Sequence, residues 1–263
     1  MEFKESGLGR EYLKLCKLRN NANNTGKLNL SDINWFYPTS LLPLGIFIKE
    51  EQEISVVPPS DPDVLSYYNI ITESRSEYST ERTYLPIVQI PPSEHQRAKI
   101  LEPVIYANSD KIGGVNAFAY FVGEIVDNVY QHSKFSTAYI MAQKYPAKRF
   151  TEVSIVDGGI SIPGAFENAG FEFEDTEALS KAINGLSTKR DKERGFGLGS
   201  SIKLLTKGLC GECLIVSREG GLIMDNEKKT LYKMDSNCMF KGTLVSVRVP
   251  FQDREVEIYD YIE

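Results

Sequence analysis

The sequence is poor in the residues that specialised chemistries draw on: among 263 residues there are four cysteines, two histidines and one tryptophan. Cys16, Cys210, Cys213 and Cys238 are too few and too scattered for a disulfide framework. Only Cys210-Gly-Glu-Cys213 is a close pair; a zinc site there would need two more ligands from Cys16, Cys238, His95 and His132. The simpler reading is two cysteines where a helix exits into the strand Leu214-Ile215-Val216, with a metal or redox pair as the alternative. Long apolar runs are missing too. No window approaches the roughly 20 apolar residues of a membrane span, and the start lacks a signal-peptide core, so a cytoplasmic protein without membrane contact is expected. Positive charge is in deficit, 30 Lys+Arg against 36 Asp+Glu, a net −6. That removes the attraction a duplex or an anionic lipid surface rewards, and no nucleic-acid partner is expected. Neither repeats nor low-complexity segments occur. What remains, 41% hydrophobic and 25% charged residues, is ordinary globular composition and excludes a disordered or fibrous chain.

Two Pro-Pro pairs, Pro58-Pro59 and Pro91-Pro92, punctuate the first part. The pattern there predicts a small α/β unit: a strand over 27–33, a helix over 39–49, a strand over 54–57, a helix after Asp61-Pro62-Asp63 and a strand over 84–90. After Ser93 longer helices alternate with apolar strands. This places a boundary near residue 95, giving domains 1–95 and 96–263.

The second part opens with an amphipathic helix over 116–132. Val122, Ile125, Val126 and Val129 form its apolar stripe, and Glu124, Asn128 and Gln131 a polar one. Such a polar stripe is usually a solvated face, so the case for function rests on the motifs downstream of it. Strands over 138–143 and 152–156 lead to Asp157-Gly158-Gly159-Ile160-Ser161-Ile162-Pro163. A carboxylate at a buried strand end followed by two glycines lets backbone approach a ligand while Asp157 accepts a hydrogen bond. About thirty residues on come Ser187-Thr188-Lys189-Arg190 and Arg194-Gly195-Phe196-Gly197-Leu198-Gly199-Ser200-Ser201, opening a helix over 200–207 whose N–H groups can cradle phosphate. It is neither a Walker motif nor a Rossmann fingerprint. Lys241-Gly242-Thr243 then precedes the strand 244–249.

In this order and spacing the four boxes resemble the GHKL superfamily, the gyrase, Hsp90, histidine kinase and MutL type ATPases, over about residues 100–250. The resemblance implies a Bergerat-type α/β fold, a two-layer sandwich with a mixed, largely antiparallel sheet and helices on one face. It implies ATP and Mg²⁺ as ligands. Asn128 matches the Mg²⁺-coordinating asparagine, Glu124 the carboxylate that activates the attacking water, Asp157 the adenine-reading aspartate and Thr243 a hydroxyl near the same edge. Gly195, Gly197 and Gly199 match the second glycine box, with Phe196 and Leu198 between them. The ATP lid would run from Asn184 to Arg194 and include Thr188 and Lys189. Gly159, Ser161 and Ile162 fall in the adenine-side turn. Two departures stand out: Ser161 occupies a usual glycine position, and Gln131 with His132 stands where kinase-type members often carry lysine.

The first ninety residues weakly resemble a STAS-like unit. In anti-sigma-factor kinases the partner STAS domain is phosphorylated at a helix start, which here would be Thr39 or Ser40. The layout is similar to stand-alone histidine-kinase-like ATPases and implies a slow ATPase whose lid closure regulates its own amino-terminal unit, a protein partner or a second copy. The alternatives are a Ser/Thr or His protein kinase, for which His95 is the one upstream histidine, and a nucleotide sensor without turnover.

Overall fold

Runs such as Leu214-Ile215-Val216 and Leu244-Val245 place apolar side chains on both sides of a strand, and strands of that kind need cover on both faces. A computed structural model describes residues 3, 5–73, 87–96, 101–102, 104–105, 114–186 and 197–261. Its centre is a seven-stranded sheet. The strands are β3 (Val88–Gln89), β4 (Ala138–Tyr145), β5 (Phe150–Asp157), β6 (Glu212–Arg218), β7 (Gly220–Met224), β8 (Lys229–Lys233) and β9 (Phe240–Pro250). Their order is β3-β4-β5-β9-β6-β7-β8, and every neighbouring pair runs antiparallel. The parallel pairing lies in a separate two-stranded sheet of β1 (Lys27–Asn29) and β2 (Ser55–Val57).

One face of the large sheet carries Ile140, Val153, Ile155, Ile215, Val245 and Val247 and packs on α4 (Val115–Asn128), α6 (Asp175–Ile183) and α7 (Gly197–Lys203). With α5 (Ser161–Asn168), which adjoins β6 and β9, these helices make the helical layer that the resemblance implies. The alternate residues of the same strands, Tyr139, Met141, Val156, Leu214, Val216 and Leu244, point the other way. They form a second core with α1 (Gly7–Thr25), α2 (Pro38–Glu50) and α3 (Pro62–Glu73).

The amino-terminal helices are therefore the sheet's second cover. Ser6 caps α1 by accepting from Gly9 N at 3.0 Å, and Gly26, at φ +68°, ends it. β3 lies in the large sheet, against β4, so the strand expected to complete the small unit is shared with the larger one; residues 84–86 lie outside the described residues. Among the described residues no helix is long and apolar enough to cross a membrane.

α2 lies along β5. At its first turn the buried carboxylate of Glu152 accepts from Thr39 N at 3.0 Å and from Thr39 Oγ1 at 2.6 Å, serving as the cap that Tyr37 does not supply. At its last turn Ile46 and Glu50 lie against Gly158, and Lys49 donates to the Tyr139 hydroxyl. The helix thus spans the length of the strand that ends in Asp157.

Candidate functional site

α4 buries Phe118, Phe121, Val122, Ile125 and Val126 and leaves Glu124 and Asn128, one turn apart, half-buried on a common side. After Asn128 the hydrogen-bonding widens into a π-turn, Val129–Ser133, a feature frequent at functional sites. That widening rotates later residues off the α-helical register. The polar stripe predicted from spacing therefore holds for Glu124 and Asn128, whereas Gln131 is exposed in the π-turn and His132 is half-buried beside it. Asn128 Nδ2 is buried and has no hydrogen-bond partner among the described residues.

The π-turn leads to the Asp157 turn. Ile160 N donates to Ser133 O at 2.7 Å, and Gly158 N to Thr137 O at 2.8 Å. Gly159 is required here: a Cβ would stand 2.1 Å from Ser133 O and 2.8 Å from Asp157 Oδ1. Ser161 adopts the left-handed conformation, φ +73°, that a glycine would take with ease, and its hydroxyl accepts from Gly164 N at 3.1 Å to start α5. The departure from glycine thus leaves the turn's course intact. Ile162 follows, half-buried.

Asp157 is 3% exposed and has no cation beside it among the described residues. Burial pushes its carboxyl up to about 7, against the lowering effect of Gly159 N, which donates at 2.9 Å, and of the Ser133 hydroxyl. That hydroxyl also donates to Val129 O at 2.8 Å, so its one proton is shared.

Asp157, Thr243 and Ser217 form a row across β5, β9 and β6, each paired in register with the next. Ser217 belongs to none of the four boxes. Its signal is there all the same, a serine closing the apolar run 214–216 as Asp157 closes its own strand. Ser217 Oγ donates to Gly242 O at 3.1 Å, accepts from Ile162 N at 2.9 Å and lies 3.0 Å from Thr243 Oγ1. With its proton given to Gly242 O, the shared bond takes the proton of Thr243. Thr243 is left with lone pairs, so the row presents acceptors from both Asp157 and Thr243.

Gly197, Leu198 and Gly199 are the first residues of α7, which packs beside α4. Thr188, Lys189, Arg194, Gly195 and Phe196 lie outside the described residues. Among the described residues no group of three or more His, Cys, Asp or Glu side chains could hold a metal ion. Magnesium needs no such cage: it binds through one or two protein oxygens and completes its shell with phosphate and water. Asn128 offers one such oxygen in its half-buried amide; the atom without a partner among the described residues is the amide nitrogen, which is not a ligand. Thr39 is fully buried and Ser40 nearly so, their hydroxyls donated to Glu152 and Tyr37 O, so neither is presented to a phosphoryl donor; His95 is exposed.

No family model and no curated protein sequence matches the chain. Among solved structures it is similar to a topoisomerase IV ATP-binding domain of Francisella tularensis in complex with a small-molecule inhibitor, with 18% identity and a TM-score of 0.30. The match covers 68% of this chain and 47% of that one, so the chain spans about half of its length.

Proposed function

We propose that the chain binds ATP with Mg²⁺ and hydrolyses it slowly. The observation that carries this reading is the row of Asp157 and Thr243: two acceptors at the end of a sheet, beside a turn where Gly159 leaves no room for a side chain. An exocyclic purine amine carries two N–H donors and satisfies both acceptors. The four sequence boxes of the GHKL resemblance support the same ligand. Asn128, one turn from Glu124, would hold the ion through its amide oxygen, and the ion would neutralise phosphate charge. Glu124 would be the base that takes the proton of the attacking water, and the first N–H groups of α7 would donate to phosphate. Closure of the 184–194 segment over the nucleotide would be felt at the Asp157 turn. On its far side that turn touches α2, the part of the amino-terminal segment through which a partner or second copy would be regulated. A protein-kinase reading with Thr39 as acceptor would need α2 to leave the sheet.

The test is phosphate release from ATP·Mg²⁺ beside direct binding. Wild type is expected to bind and release phosphate; Glu124→Ala to bind without release; Asp157→Asn to lose binding. A wild-type protein that does not bind ATP overturns the reading.

A further inference from the structure

The chain's one tryptophan is not in its core. Trp35 is 46% exposed and is the largest of the apolar side chains left in the open among the described residues. It is nevertheless held. Its ring meets Tyr67 of α3 at 6.2 Å and Tyr145 at the end of β4 at 6.4 Å, both edge-on. Tyr145 in turn stacks on Tyr37 at 4.9 Å and tilts against Phe150 at 4.8 Å. Rings from three separate parts of the chain thus make one continuous cluster with Trp35 between its two flanks. The charge on those flanks differs in sign. Beyond Tyr145 comes the hairpin 144–150, which carries Lys144, Lys148 and Arg149 and no acid; Lys148 and Arg149 are exposed, and Lys148 lies over the Tyr37 ring at 5.2 Å. Beyond Tyr67 comes Pro58-Pro59-Ser60-Asp61-Pro62-Asp63, with two exposed acids and no cation. Ser60 N donates to Ser31 O at 3.4 Å, which holds this stretch beside the Trp35 loop, and Asp63 stands one turn before Tyr67 on α3.

A contact between identical copies about a two-fold axis must be self-complementary, since whatever touches one half of the patch is the other half. A basic flank and an acidic flank on either side of an apolar anchor meet that condition. We propose that the chain pairs with a second copy through this patch, with the two Trp35 rings at the axis and Lys148 of each copy facing Asp63 of the other. The anchor is an aromatic side chain already held by Tyr67 and Tyr145, so little rotamer freedom is lost on docking. Each copy carries a net −6, so the attraction comes from the local pairing of opposite charges and from the rings, against an overall repulsion. The patch gathers at the Phe150 end of β5, and Asp157 closes the other end. Pairing here therefore leaves the Asp157–Thr243 row at the far end of the strand and is independent of what that row binds.

The test is the mass of the full-length protein by sedimentation and light scattering from about 1 to about 100 μM, read beside its tryptophan emission. Because Trp35 is the sole tryptophan, emission reports on the patch without any variant. Mass is expected to rise from monomer to dimer while the emission moves to shorter wavelength over the same range. Trp35→Ala, its folding checked by circular dichroism, is expected to stay monomeric. Each charge pair occurs twice in a two-fold contact, so Lys148→Glu and Asp63→Lys should each weaken pairing about tenfold. Combining the two restores opposite charges across the axis, and the double variant should return to the wild-type affinity. A wild type that stays monomeric, a dimer that forms with no change in emission, or a double variant weaker than either single one would overturn the proposal. So would masses that keep growing past a dimer, because a two-fold contact closes on itself.

Discussion

β5 carries two buried carboxylates, Glu152 and Asp157, on opposite faces, and the molecule treats them differently. Glu152 is 0% exposed; burial raises its carboxyl, and Arg248 and Thr39 work against that rise. Arg248 Nε donates to Glu152 Oε2 at 2.8 Å, and its guanidinium lies over the Tyr37 and Phe150 rings at 5.2 and 4.9 Å. Every oxygen of Glu152 is engaged, and the group serves to hold α2 on the sheet. Asp157 receives one backbone N–H and part of one hydroxyl proton, with no cation beside it among the described residues. A buried carboxylate with its charge answered holds elements together; one left partly unanswered at a strand end is a candidate binding group.

The largest effect expected is on the answered side. Arg248→Met leaves Glu152 buried without its cation and should cost about 3–5 kcal/mol, read as a lower urea midpoint. If Asp157→Asn destabilised the protein as much, the contrast would collapse.

The opposite sign is expected at Asp157. Its folded value of about 7 lies above the ordinary 3.8, so the ionised group opposes folding, fully above pH 7 and not at all below the unfolded value. Asp157→Asn should therefore raise the melting temperature at pH 8 while weakening ATP binding about a hundredfold. Wild-type ATP affinity should fall as pH drops below about 7, because protonation removes the negative charge and turns one carboxylate oxygen into a donor; titration calorimetry from about pH 6 to 8 reads both.

Ser217→Ala releases the Thr243 proton, so Thr243 can then donate to a 6-oxo purine. ITP carries a 6-oxo group and an N1–H where ATP carries a 6-amine and a bare N1; the preference for ATP over ITP should shrink about tenfold by competition binding. In a Thr243→Ala background the same change should have no further effect.

The smallest effect is Ser161→Gly, which relieves a left-handed residue and loses the contact to Gly164 N. These offset one another to within about 1 kcal/mol in thermal unfolding.

Much of this is legible in the sequence. The periodicity of Val122, Ile125 and Val126 predicts α4, and the apolar runs predict β4, β5, β6 and β9. The site's spacing puts Glu124 and Asn128 on one side. It misplaces Gln131 because spacing arithmetic assumes 3.6 residues per turn and the helix widens at Val129. α1 escapes the pattern because its apolar positions are diluted by Lys, Arg and Asn, although Ser6 and Gly26 mark its ends. The second layer is hidden in the same runs that predict the strands: apolar residues at consecutive positions require two covers, and the partner for Leu214 and Val216 lies far earlier in the chain, in α1 and α2. Contacts of that range, Tyr12 with Cys238 O among them, leave no local trace.

The borders of the large sheet bear on self-association. At one edge β3 is two residues long, and at the other β8 begins and ends with exposed Lys229 and Lys233. An edge strand is a template for another chain, and short length and lysine are the two common ways to blunt it. At the β8 border a growing filament would have to stack ammonium groups, which guards that edge against strand-by-strand polymerisation.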